Sequence, residues 1–235
     1  MSRRQAVPVA SLDGIRYMGK KAQNIGNYSF SNRKITPVRV ARFIFRRLIK
    51  VFYDTSIDYL MEKDLLVGDA ITSNNPGITW RMAGPDDLPE FGKFLPSFFI
   101  RCFKKRFALG EHCLVAICDG RIAHYCWYIW EKNYYVREII FLVMVLPDKA
   151  YIYDAYTRAS FRDQGIHQEA YRLISHEMAQ AGKRYVVVMM DRKNLNSIFT
   201  AIQVGFRLKG SIIYRRILWK KKTRFEVSTE TESNE

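Results

Sequence analysis

The sequence predicts an α+β fold built on a mixed, mostly antiparallel sheet, and three observations carry the prediction. Two strand-like runs, His112–Cys118 and Arg121–Glu131, meet at Asp119-Gly120, a dipeptide suited to a tight hairpin. A strand–helix–strand–helix–strand series then occupies the stretch from Tyr151 to Leu218. Within it, Arg184–Met190 is almost wholly apolar, as a strand buried on both faces must be.

The elements follow in order. Residues 1–35 mix Gly, Asn, Ser and basic residues without sustained periodicity and read as a flexible basic segment. Thr36-Pro37 reads as a helix start, with Thr as N-cap and Pro at the first helical position. Over Val38–Tyr53, Arg39, Arg42, Arg46 and Lys50 share one face, and Ala41, Ile44, Phe45, Leu48, Val51 and Phe52 the other. Residues 36–66 are therefore expected to form a basic amphipathic helix extension. After a polar turn, Ile78–Met82 reads as a short strand, and Asp86–Leu95 and Ser97–Ala108 as helices parted by Pro96. One more strand is expected within Val136–Leu146, and another over Tyr151–Thr157.

A helix from about Gln164 to Ala181 shows apolar Ile166, Ala170, Leu173, Ile174 and Met178, with Gly182 as its stop. Ser197–Val204 is a helix ended by Gly205, and Phe206–Leu218 supplies one or two last strands. Residues 223–235 are polar and acidic and read as a disordered tail.

Composition sets the class of partner. Thirty-eight Lys+Arg against 23 Asp+Glu give a net charge of +15, which favours anionic partners without naming one. No nucleic-acid recognition motif or stacking platform accompanies the charge, which ranks nucleic acid low. Cys102, Cys113, Cys118 and Cys126 form no C-x-x-C pair and read as free thiols of a reducing compartment. The start MSRRQAVPVASLDG lacks an apolar core, and the longest apolar run, Ile139–Leu146, is too short to span a bilayer. A cytoplasmic chain, soluble or peripheral to the inner face of a membrane, is expected.

The chemistry concentrates between the strand ending at Thr157 and the next helix. Arg162-Asp163-Gln164-Gly165-Ile166-His167 offers a glycine that lets backbone N–H groups turn inward, a helix N-terminus behind them and a charged donor at Arg162. A pyrophosphate suits such a loop. Further on, Asn194 follows the buried strand, Ser197 comes three residues later, and Gly205-Phe206 closes the helix.

Together these segments resemble the GCN5-related N-acetyltransferase (GNAT) superfamily, whose pattern is Gln/Arg-x-x-Gly-x-Gly/Ala, a helix and a strand, then Asn-x-x-Ala/Ser and Gly-Phe. Arg162, Gly165, Asn194, Ser197, Gly205 and Phe206 stand at matching spacings, and the domain covered is 78–220. The resemblance implies a central strand pair that splays apart to admit acetyl-CoA or another acyl-CoA. It implies pantetheine contacts from Ala155 and Thr157, and pyrophosphate contacts from Arg162, Asp163, Gln164, Gly165, Ile166 and His167. It further implies Asn194, with Ser197 beside it, either pointing its amide towards the pantetheine or ordering the second half of the cleft. The implied reaction is direct attack of an amine on the thioester, the amine belonging to a small molecule, an amino sugar or a protein.

Two positions depart from the family. His167 stands where Gly or Ala is usual, and is expected either to donate to a phosphate or to be a surface residue at the helix start. Ala201 stands where many members carry a Tyr that protonates the leaving thiolate. Asp154, beside Tyr153 and Tyr156, is the candidate base, with Asp191 behind it; a carboxylate satisfied by a neighbouring Arg or backbone N–H is the competing reading of Asp154, and a cap on the following turn that of Asp191. His112, His124 and His176 read as sheet- or helix-surface residues. Two other functions stay open. One is a weak or inactive CoA-binding module, favoured by Ala201. The other is a protein that docks on an anionic membrane surface or an acyl carrier protein through 38–53, where a helix with a merely solvated basic face is the competing reading.

Overall fold

The computed structural model describes residues 53–66 and 77–228. The expected flexible segment 1–35, the helix over 38–52 and the tail from 229 onward lie outside these residues.

The strands are β1 (Tyr53–Asp64), β2 (Ile78–Met82), β3 (His112–Cys118), β4 (Arg121–Trp130), β5 (Tyr134–Val136), β6 (Phe141–Val143), β7 (Lys149–Thr157), β8 (Tyr185–Asp191), β9 (Arg207–Ile217) and β10 (Lys220–Val227). The α-helices are α1 (Leu88–Gly92), α2 (Ser97–Ala108), α3 (Ile166–Gln180) and α4 (Leu195–Gln203). Eight strands form one sheet in the order β10-β9-β1-β8-β7-β4-β3-β2, and β5-β6 pair separately. Every neighbouring pair is antiparallel except β7 with β8. This is the mixed, mostly antiparallel α+β sheet that the sequence predicts.

One face of the sheet is covered by α1, α2 and the β5–β6 hairpin. Phe91, Phe99 and Phe103 pack there on Tyr125 and Trp127, while Val143 and Val145 pack on Ile129, Tyr151 and Val187. The opposite face is covered by α3 and α4, where Ala170, Ile174, Met178, Ile198 and Ala201 meet Cys126, Ile152, Val186, Val188 and Met190. Apolar residues on both faces of β4, β7 and β8 explain why those strands lack strict polar alternation.

Two expectations fail at the edges. Residues 53–64, expected as the end of a helix, form β1, inserted between β8 and β9 and bonded to both. Alternation decides it: Tyr59 and Met61 face the α3 side while Leu60 faces the hairpin, a period of two that β-branched and aromatic neighbours favour. Residues 223–227, expected to be disordered, complete β10, whose backbone pairs with β9 from Lys220↔Ile217 to Val227↔Gly210. Their polarity is that of an exposed edge strand. The single strand expected within Val136–Leu146 is the β5–β6 hairpin, turned through Ile140 at φ 52°. The helix expected from Asp86 opens as a 3-10 turn, Pro85–Asp87, and the Arg81–Asp87 ion pair at 2.5 Å holds it against β2.

The four cysteines are free thiols; Cys113 and Cys126 are buried and Cys102 and Cys118 half-buried. Among the described residues no helix is long and apolar enough to cross a membrane.

Candidate active site

The parallel pairing of β7 with β8 runs only from Lys149↔Tyr185 to Ile152↔Val188. Beyond that point β7 continues along β4 as far as Thr157↔His124, and β8 along β1 as far as Asp191↔Asp58. The two central strands therefore part company. A bulge marks the fork: Trp127 and Tyr128 are consecutive on β4, yet they face Asp154 and Ile152, leaving Tyr153 as an extra residue on β7. Such a residue bends its strand and shifts side-chain parity. Tyr151 and Tyr153 face the α2 and hairpin side before the bulge, and Asp154 and Tyr156 face it afterwards. Ala155 turns to the α3 side, as does Thr157, which reaches His124 there.

The loop after β7 makes a 3-10 turn at Ala159–Phe161, then passes Asp163 at φ 61° and Gly165 at φ 72° before α3 begins. Asp163, Gln164 and Gly165 are exposed, whereas Ile166 is buried with Ile78, Ala116 and Ala123 and anchors the helix start. The first-turn N–H groups of a helix have no intrahelical acceptor, and Gly165 contributes no side-chain cap. Arg162 donates from Nε to the Thr157 carbonyl at 3.2 Å, and its guanidinium lies 5.9 Å from the Tyr156 ring.

His167 is half-buried rather than a surface residue. Its ring lies 4.4 Å from that of Tyr171 and 5.4 Å from that of His124, and its Nε2 is sealed from solvent. Burial pushes its pKa down to about 4. His124 is also buried rather than on the sheet surface, with its Nδ1 2.8 Å from Thr157 Oγ1, and burial beside His167 holds it well below the ordinary range. Both rings form the floor under the loop. His112 stacks on Trp130 at 3.9 Å.

The structure brings Asp154, Tyr156 and Asp191 to one face of the sheet. Asp154 Oδ2 accepts from Arg106 Nη1 at 2.6 Å, an ion pair whose members are 18% and 12% exposed. Burial alone would lower the Arg106 pKa, but the Asp154 carboxylate opposite it, with Tyr153 and Tyr134 nearby, raises it instead. The guanidinium is further enclosed by the rings of Tyr153, Trp127 and Phe103, at 4.8, 5.1 and 5.4 Å. Tyr153 donates its hydroxyl to Glu111 and lies 4.4 Å from Tyr134, whose own hydroxyl burial pushes up to about 12. Tyr156 packs between Phe94 and Tyr125.

Asp191 accepts from the Lys193 N–H at 2.9 Å and faces Asp58 across the strand pair. Asn194 caps α4, its Oδ1 accepting from Ser197 N at 3.4 Å. Ala201 is fully buried against the core.

Arg106, Glu111, Tyr153, Tyr134 and Asp58 are absent from the sequence-based candidates. For Arg106 a signal was available: it follows Phe99 and Phe103 at spacings of seven and three, which places a cation on the apolar stripe of α2.

Several solved structures described as acetyltransferases share this arrangement. An acetyltransferase of the GNAT family from Colwellia psychrerythraea is similar at 14% identity and TM-score 0.50, covering 80% of this chain and 63% of its own. A GCN5-related N-acetyltransferase from Sphaerobacter thermophilus matches at 15% and 0.51, covering 77% and 56%. A GCN5-related glucosamine N-acetyltransferase region of a fungal multi-domain GH3 β-N-acetylglucosaminidase matches at 13% and 0.52, covering 76% and 23%. The chain thus spans less than two thirds of each of these three proteins, and the likeness is one of fold: the chain has the GNAT fold. No protein-family model matches the sequence, and no curated protein matches it.

Proposed function

We propose that this chain is an acyl-CoA-dependent N-acyltransferase that moves an acyl group, acetyl foremost, from the CoA thioester to a primary amine. The fork between β7 and β8 carries the proposal. Past Ile152 and Val188 each strand has an edge that faces the other without pairing, and an extended pantetheine can lie between them. The exposed loop at the end of β7 supports a pyrophosphate there, with the N–H groups of Gln164, Gly165, Ile166 and His167 as donors. His167 contributes its backbone only, because its ring is turned into the floor. Arg162 and Asp163 flank the phosphates, Ala155 and Thr157 line the pantetheine side, and Asn194 with Ser197 shapes the far wall through the cap of α4.

In the reaction the ammonium proton passes to a base, the freed amine nitrogen forms a bond to the thioester carbonyl carbon, and the C–S bond breaks with CoA leaving as thiolate, which takes up the second proton shed by the nitrogen. Asp154 is poorly placed for that task, because its Oδ2 is taken up by the Arg106 guanidinium. We assign Asp154 to holding the bulged part of β7 in place, and Asp191, three residues past Val188 and on the same face of the sheet as Asp154, to accepting the proton. Tyr156 forms the wall beside them. Much of the acceleration would come from holding amine and thioester in line.

Thermal shift with acetyl-CoA, followed by thiol release across small amines, amino sugars and lysine peptides, tests the proposal. Stabilisation with release supports it; neither effect overturns it. Stabilisation without release makes the chain a CoA-binding module, a second reading favoured by one observation: the side chain at Ala201, where many GNAT proteins carry the acid, is packed into the core.

A further inference from the structure

From the turn between β9 and β10 we infer an interaction surface for an anionic lipid bilayer. Ile217, Leu218 and Trp219 form that turn and are 56%, 45% and 78% exposed. Tyr53, the cross-strand partner of Ile217, is 47% exposed beside them. Isolated exposed apolar residues are ordinary, but four neighbours at one projecting tip, one of them a tryptophan, are not.

The charge around the tip is mostly positive, with Asp54 the acid nearest to it. Lys220, Lys221 and Lys222 follow Trp219, and Arg215 lies opposite Lys222. Two ion pairs of the same ribbon, Arg216–Asp54 at 3.8 Å and Arg224–Glu226 at 2.6 Å, engage other cations. On the α3 side of the sheet, Ile213, Arg215, Ile217, Lys220, Lys222 and Arg224 line a groove of about 590 Å³. Lysines on an edge strand also deter edge-to-edge pairing, which accounts for their presence but not for the exposed Ile-Leu-Trp. An apolar wedge ringed by cations matches the interface of an anionic bilayer, where the wedge enters the acyl boundary and the ring meets the headgroups.

Two features of the topology reinforce this. The register Tyr53↔Ile217 means that the chain ahead of β1, which carries Arg39, Arg42, Arg46 and Lys50, enters the sheet at this same tip. The acidic stretch from Thr229 leaves at the far end of β10, beyond the Val227↔Gly210 pair, about 25 Å away at strand rise. The tip also lies at the end of the sheet where β7 and β8 part, since β1 runs from Tyr53 to Asp58 before meeting Asp191. Docking there would bring the mouth of the fork to the bilayer surface.

Co-sedimentation of the full chain with vesicles of phosphatidylcholine alone, and of phosphatidylcholine mixed with phosphatidylserine, tests the inference. Binding is expected to the mixed vesicles only, to weaken with added salt, and to fall about tenfold in Trp219→Ser. The triple variant K220E/K221E/K222E should fall about a hundredfold or more. Both variants should keep the wild-type unfolding midpoint. As a check free of folding effects, a bilayer-embedded nitroxide lipid should quench wild-type tryptophan emission more than that of Trp219→Phe. Equal binding to both vesicle types, binding to neither, or wild-type binding by both tip variants overturns the inference. So does a tip whose variants lose only RNA binding or only self-association.

Discussion

Arg106 Nη1 stands 2.6 Å from Asp154 Oδ2, a largely enclosed link between the last turn of α2 and the first residue past the bulge on β7. The pair ties a helix to the strand just where that strand leaves β8. Its geometry fixes the direction of one arm of the fork, and with it the width of the cleft.

Removing one partner should be far worse than removing both. Arg106→Met strands a buried carboxylate and should cost about 3–5 kcal/mol of stability, whereas R106M/D154L replaces the ion pair by apolar contacts and should recover much of the loss. Urea unfolding of both variants and the wild type checks this. Equal losses would mean that the pair carries no desolvation penalty.

Asp154→Asn separates positioning from proton transfer. The rate with a good amine acceptor should fall, while the pH at which the rate rises stays where it is in the wild type. A shift in that pH would restore Asp154 as the base.

Gly165 and Gly110 both have positive φ, 72° and 68°, but only Gly165 lies in the loop ahead of α3. A Cβ at Gly165 would meet nothing closer than Gln168 Oε1 at 3.7 Å, so the strain of an alanine there is conformational, about 1–2 kcal/mol. G165A and G110A should lose similar stability, yet only G165A should lose acetyl-CoA affinity, by about tenfold. Calorimetric titration of both would show it, and equal affinities would misplace the pyrophosphate.

The motif-bearing half of the domain was legible because its constraints are local. Gly165 needs a left-handed conformation, Asn194 caps its own helix, and Arg184–Met190 is apolar because it is central. The fork itself was implied by family resemblance and appears in the register. The N-terminal edge was not legible. β1 owes its strand state to β8 and β9, which lie more than 120 residues away, and nothing local to 53–64 signals that pairing. The burial of His124 and the half-burial of His167 were hidden for the same reason, since each ring packs on a residue distant in sequence.

Gly210 sits in β9 where β10 crosses closely. A Cβ there would come within 2.5 Å of the Glu226 carbonyl and the Phe225 ring, so the backbone of β10 would have to move. Gly210→Ala should destabilise by about 1–3 kcal/mol and free the end of β10 for proteolysis. Urea unfolding and limited digestion would both register it.

His167 makes stability depend on acid in a definite window. Its pKa is about 4 when folded and near 6.5 when unfolded, so between those values the unfolded chain binds a proton that the folded chain refuses. Stability is undiminished above pH 6.5 and falls as pH drops towards 4, by up to about 3 kcal/mol for this one group. His124, depressed in the same direction, adds to the loss. Because His167 Nε2 has no hydrogen-bond partner, His167→Phe gives up no bond there and should be neutral or slightly stabilising at pH 7. The informative quantity is the slope: unfolding free energies measured at pH 7, 6 and 5 should converge less steeply for the Phe variant than for the wild type. Parallel slopes would mean that the imidazole takes up its proton without leaving the fold, and that the floor beneath the loop is wetter than its packing implies.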